Sequence, residues 1–117
     1  MKLEYALCLS PASCSCHATP LLRPLLPFQL HSAGYFEALD GYFTDREGLD
    51  SWLLMLTVSG QGSLEYRGSR CGLGAGMLAL VNCREPHRYA CFRGPWCFWW
   101  VHITGETVGE YDRRIQA

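Results

Sequence analysis

The run Trp-Cys-Phe-Trp-Trp-Val-His-Ile at 96–103 constrains the fold more than any other stretch. It packs β-branched and aromatic residues together without a glycine or a proline. That composition favours a strand over a helix. Side chains on a strand alternate between faces, so Trp96, Phe98, Trp100 and His102 share one face and Cys97, Trp99, Val101 and Ile103 the other. Both faces are largely apolar, which predicts a strand buried on both sides. One of them carries three large rings and an imidazole, a filling better suited to lining a pocket than to a close-packed core.

Breaks rich in glycine and proline recur at steady spacing before this run. They predict strands over 28–32 and 35–43, with Gly34 and Gly41 as bends, and then a charged loop over 45–50. A strong strand over 52–59 is followed by a turn at 60–62 and a strand over 63–67, and Gly68 and Ser69 close a hairpin into 70–73. Gly74, Ala75 and Gly76 turn the chain into 77–81, residues 82–86 turn it into 87–92, and Arg93, Gly94 and Pro95 lead into the aromatic run. This spacing gives about eight short strands, the pattern of an antiparallel sandwich or barrel. Residues 1–27 carry Pro11, Pro20, Pro24 and Pro27, which exclude a long helix and a central strand. An irregular arm is expected there, loose or laid over the domain. Residues 106–117 are polar and are expected to start a helix that the chain cuts short, with Thr104 as its N-cap.

Composition narrows the function classes. A chain of 117 residues with 49% apolar and 18% charged side chains is one globular domain rather than a disordered segment. A net charge of −1 leaves no electrostatic footprint for nucleic acid, so this chain is not expected to bind DNA by itself. Seven cysteines, an odd number without paired spacing, and no secretory leader point to free thiols in a reducing cytoplasm. Cys14, Cys16 and His17 form a C-x-C-H group, but no second pair follows at zinc-finger distance, so inert thiols are the expectation. No membrane partner is expected.

Several motifs then occur in a telling order. They are Thr-Val-Ser-Gly-Gln-Gly (57–62), Tyr-Arg-Gly (66–68), Leu-x-x-Gly (73–76), Pro-His-Arg-Tyr (86–89) and Trp-x-x-x-Trp-Val-His (96–102), with Ser-Ala-Gly (32–34) and Arg46 upstream. On these residues the region 28–105 resembles the N-terminal effector-binding domain of the AraC family of bacterial transcription regulators. The resemblance implies an all-β fold, a cupin-like antiparallel β-barrel or jelly-roll sandwich that holds a small molecule, often a sugar. It also implies dimerisation helices and a C-terminal domain with two helix-turn-helix motifs. The expected organisation is an arm over 1–27, an effector-binding domain over 28–105 and the start of a helical linker over 106–117. DNA binding would belong to a domain outside this chain. The full-length protein would be a homodimer, and this chain a monomer or a weak dimer through an open strand edge.

The resemblance also implies a site. Arg46 matches an arginine that contacts sugar hydroxyls, Tyr89 matches the tyrosine of an H-x-Y motif, and Trp100 matches the ring that stacks on the sugar. Phe98 stands where arabinose-type members carry a histidine, which argues against arabinose itself. Alternation agrees independently, because Phe98 and Trp100 share a face, as do His87 and Tyr89. A pyranose offers an apolar C–H face to a ring and hydroxyls to a planar donor fork. The candidate ligand-binding set is therefore Arg46, His87, Tyr89, Phe98 and Trp100. The competing readings place Trp96 in the core, make His102 a structural histidine bonded within the barrel, and pair Arg46 with Asp45, Glu47 or Asp50 in an exposed loop.

Two other classes compete with the sensor. A metal-dependent cupin enzyme needs two histidines one residue apart, a carboxylate and a third histidine around one ion. No H-x-H occurs, and neither a G-x-S-x-G elbow nor an oriented Cys–His pair is present. No catalytic residue, metal or cofactor is expected on these grounds. A stand-alone carbohydrate-binding module would share the pocket without the regulatory context.

Overall fold

The structure, a computed structural model, describes residues 1–17 and 29–116. Among these residues eight strands precede one helix: β1 (Lys2–Ala6), β2 (Cys14–His17), β3 (Gln29–Ala38), β4 (Phe43–Glu47), β5 (Trp52–Tyr66), β6 (Ser69–Leu73), β7 (Leu78–Asn82), β8 (His87–Thr104) and α1 (Glu106–Gln116). Every strand pairing is antiparallel. β5 and β8 are long because each passes through both halves of the fold. The first half of β8 lies between β4 and the end of β5, where Thr44 and Leu64 flank Tyr89, and Arg46 and Tyr66 flank His87. Its second half lies between β3 and the start of β5. There Phe36 and Thr57 flank Phe98, Gly34 and Met55 flank Trp100, and Ser32 and Leu53 flank His102.

Adding the outer neighbours gives the strand orders β1-β4-β8-β5-β6 and β2-β3-β8-β5-β7. The two halves curl around one core drawn from both, with Leu53, Met55 and Phe98 from one and Leu64 and Tyr89 from the other. Among the described residues the fold is a curled antiparallel sheet of barrel type, all-β apart from one C-terminal helix. Trp96 sits at its centre, fully buried, stacked on Phe98 at 3.9 Å, its indole N–H donating to Thr57 Oγ1 at 3.0 Å. Gly62 faces this ring so closely that a Cβ there would lie 2.4 Å from it. A side chain at position 62 would overpack the core.

Several expectations need correction. Residues 1–17 are not irregular, for β1 and β2 pair as strands with β4 and β3. Both lie at the ends of the sheet path, where prolines in neighbouring segments do no harm. The expected arm over 18–27 lies outside the described residues. Asp45 and Arg46 lie in β4, not in a loop, because pairing with β1 on one side and β8 on the other overrides the weak strand preference of charged residues. Gly60–Gln61–Gly62 is no turn. β5 continues through it as a series of register shifts, which glycine permits, and Gly60 has φ 71°. Arg93–Pro95 likewise stays within β8. Gly34 lies inside β3, where a Cβ would fall 2.6 Å from the Trp100 ring. Nor is β8 buried on both sides: Trp99 is 52% exposed and meets Tyr35 on the outer surface, at 4.9 Å between ring centroids.

The helix is tied down by one arginine. Arg67 (φ 52°) and Gly68 (φ 75°) form the tight turn between β5 and β6, a left-handed pair that fits the twist of a hairpin. From that turn the Arg67 guanidinium reaches Glu85 at 2.6 Å and Asp112 of α1 at 3.1 Å. Asp112 and Val108, one helical turn apart, are the buried residues of α1. The helix begins at Glu106, where the sequence predicts it, but Gly105 and not Thr104 holds the N-cap position, and Val108 donates to the Gly105 carbonyl at 3.3 Å.

Candidate ligand-binding site

The cross-strand rows on the inner surface build a cavity of about 280 Å³. One wall consists of Leu3 and Tyr5 of β1 beside Arg46 and Thr44 of β4, which in turn lie beside His87 and Tyr89 of β8. The opposite wall consists of Phe36 of β3 with Phe98, Trp100 and His102 of β8, and Tyr42 and Leu7 complete the lining. The rings hold one another in place. Phe36 meets Trp100 edge-on at 5.1 Å and Phe98 at 5.9 Å, while Tyr42 meets Phe98 at 6.0 Å. Such tilted contacts lock the ring planes that a ligand would meet.

Of the five candidate residues, Arg46, Tyr89, Phe98 and Trp100 line this cavity. His87 does not. It is 2% exposed and lies behind Arg46, whose Nε–H donates to His87 Nε2 at 3.2 Å. On its other side His87 Nδ1–H donates to the Glu85 carbonyl at 2.9 Å. A carbonyl can only accept, so the proton sits on Nδ1 and leaves the Nε2 lone pair for the arginine. Burial lowers the pKa of His87, and Arg46 adds to that effect. The imidazole is thus a neutral prop for the guanidinium, whose Nη2 also donates to Cys83 Sγ at 3.7 Å. Arg46 forms no ion pair with Asp45, Glu47 or Asp50; Asp45 faces outward and approaches Arg88 at 3.9 Å.

His102 combines two roles. Its Nδ1 is within hydrogen-bond distance of Ser51 Oγ at 3.2 Å, as a structural histidine would be, yet its ring also lines the cavity. Burial lowers its pKa to about 4, with further help from the nearby Arg46, so it too is neutral near pH 7. Burial pushes the Tyr42 phenol up, and it pushes the Cys83 thiol up to about 11. Trp100 carries a buried indole N–H without a partner among the described residues. The cavity is therefore aromatic, has one cation, and offers hydroxyl, indole and imidazole groups around it.

Sequence reasoning missed Leu3, Tyr5 and Leu7, which carry no motif, and Tyr42 and Thr44, which alternation from Arg46 would have placed on the same face had β4 been recognised. A wider groove of about 450 Å³ lies beside the β5–β6 turn, with Arg67, Arg70 and Arg88 around it. Each of these cations already has a carboxylate partner. Among the described residues no three His, Cys, Asp or Glu side chains converge as metal ligands. No helix among them is long and apolar enough to cross a membrane.

Comparison with known proteins agrees with this geometry. No curated protein sequence matches the chain. Among solved structures it is similar to a Cupin 2 conserved barrel domain protein from Salinispora arenicola (15% identity, TM-score 0.58, covering 93% of this chain and 90% of that one). It is also similar to the Cupin_2 domain of an XRE family transcriptional regulator from Enterobacter cloacae (14% identity, TM-score 0.57, 79% and 95%). A third is an HTH_3 family transcriptional regulator from Vibrio cholerae (14% identity, TM-score 0.57), of which the match covers 69% of this chain and 53% of that one. The chain thus spans about half the length of the Vibrio protein. At these identities the likeness establishes the barrel fold. Over residues 29–117 the sequence itself matches the AraC-like ligand binding domain, and the chain belongs to that family.

Proposed function

We propose that this chain is the effector-sensing domain of a transcription regulator and that the effector, a small carbohydrate-like molecule, occupies the cavity between the two halves of the barrel. The observation that carries the reading is the arrangement of Trp100 and Phe98 opposite Arg46 around about 280 Å³ of space, an apolar wall facing a donor fork. Similarity to the Cupin_2 domain of an XRE family transcriptional regulator from Enterobacter, and to an HTH_3 family transcriptional regulator from Vibrio, supports the regulatory context. DNA recognition and homodimerisation would be carried by segments outside this chain, and all seven cysteines are free thiols, in keeping with a cytoplasmic protein. On this reading the lining residues bind and do not catalyse.

Thermal-shift screening of the chain against neutral and acidic mono- and disaccharides tests the proposal, because a ligand that binds only the folded state raises the melting temperature by mass action. At least one sugar should raise it, and Trp100→Ala should reduce the rise at the same ligand concentration. A panel without any shift would overturn the reading.

A further inference from the structure

The charge of the cavity is unbalanced. Arg46 is partly buried among Tyr42, Thr44, Tyr89 and His102, and among the described residues it makes no salt bridge. His87 and Cys83 each take one of its N–H groups. A guanidinium has about five donors in a fixed fork, so among the described residues Nη1 and part of Nη2 remain without acceptors. The two imidazoles beside it are held neutral, which leaves its charge uncompensated. A partly buried cation without a counter-charge is unfavourable, and a planar anion presented to the fork relieves that cost. A phosphomonoester would bring nearly two negative charges to this single cation, whereas a carboxylate brings one.

We propose that the effector is a small carboxylate with an apolar face, its carboxylate paired with the Arg46 fork and its body against Trp100. The inference rests on the ligand-binding reading above; a sugar acid keeps its carbohydrate-like effector, and an aromatic acid replaces that effector at the same site. Two sources share this chemistry, a sugar acid and an aromatic acid.

Isothermal titration of the 117-residue chain separates them. The probes are D-glucuronate and D-galacturonate with glucose and galactose as their neutral partners, and benzoate with benzamide. An acid should bind roughly 10- to 100-fold more tightly than its neutral partner, the range expected for hydrogen bonds to a charged group. Arg46→Gln should erase the difference, and Arg46→Lys, which keeps the charge but loses the fork, should leave part of it. Should Arg46→Gln fail to fold, the Arg46→Lys comparison decides alone. Preference for a uronate assigns a sugar acid, and preference for benzoate an aromatic acid. Neutral sugars that bind as tightly as the acids would overturn the inference while leaving the sensing function intact. An acid preference that survives undiminished in either variant would overturn it as well. Absence of binding by every probe would overturn both.

Discussion

Arg46 donates through Nε to His87 Nε2 at 3.2 Å, and that bond requires the imidazole to be neutral. Protonation would put a second positive charge against the guanidinium and remove its acceptor. His102, whose pKa is about 4, faces the same cation. Both histidines have folded-state values below the ordinary 6.5. Their contribution to stability is fully present above that value and is lost as pH falls toward about 4 for His102. The Glu85 carboxyl is held low by Arg67, so its contribution is present above 4.5 and is lost only below it. Urea midpoints should therefore fall between pH 6.5 and 4.5 through the histidines, and His102→Gln should flatten the decline. A midpoint that is constant or rises over that window would contradict this assignment.

Trp96 and Trp100 lie four residues apart on one face and should answer differently to truncation. Trp96 is fully buried and bonded to Thr57, so Trp96→Ala should cost about 3–5 kcal/mol of unfolding free energy. Trp100 borders open space, so Trp100→Ala should leave a folded domain and weaken ligand binding by about 1–3 kcal/mol, the scale of burying one large side chain. Chemical denaturation and titration of both variants measure the two effects. Equal stability losses would make Trp100 a core residue.

Alternation makes most of one wall legible in the sequence. Phe98 and Trp100 had to share a face, and the structure puts both on the cavity. Arg46 was found through family resemblance, although its own segment, Asp-Arg-Glu, reads as a charged loop. Partners on both sides turned it into a strand, and a sequence shows no partners. β1 was hidden for the same reason. The glycines at 60 and 62 looked like a turn because glycine usually marks one, whereas here they let β5 pass close under Pro95 and Trp96. Trp99 looked buried because composition alone cannot say which face of an aromatic strand meets solvent.

Arg67 joins a hairpin turn to a helix, so its loss should be felt mainly in α1. Arg67→Asn keeps a residue that tolerates the left-handed turn but removes the cation from Asp112, which is 7% exposed. Hydrogen exchange should speed up at the amides of Glu106–Gln116 while those of β5 and β8 stay protected. Uniform loss of protection across the barrel would show instead that the turn conformation, and not the ion pair, was the important contribution.

The position of the ligand can be read from the indole N–H resonances of the four tryptophans, assigned through single Trp→Phe variants. The titrant is whichever sugar or acid gives the largest thermal shift. Trp100 lines the cavity and its N–H has no partner among the described residues, while Trp99 lies on the outer surface. On saturation the Trp100 signal should move and the Trp99 signal should stay. A Trp99 signal that moves while Trp100 remains fixed would place the ligand outside the barrel and contradict the assignment of the cavity as the effector site.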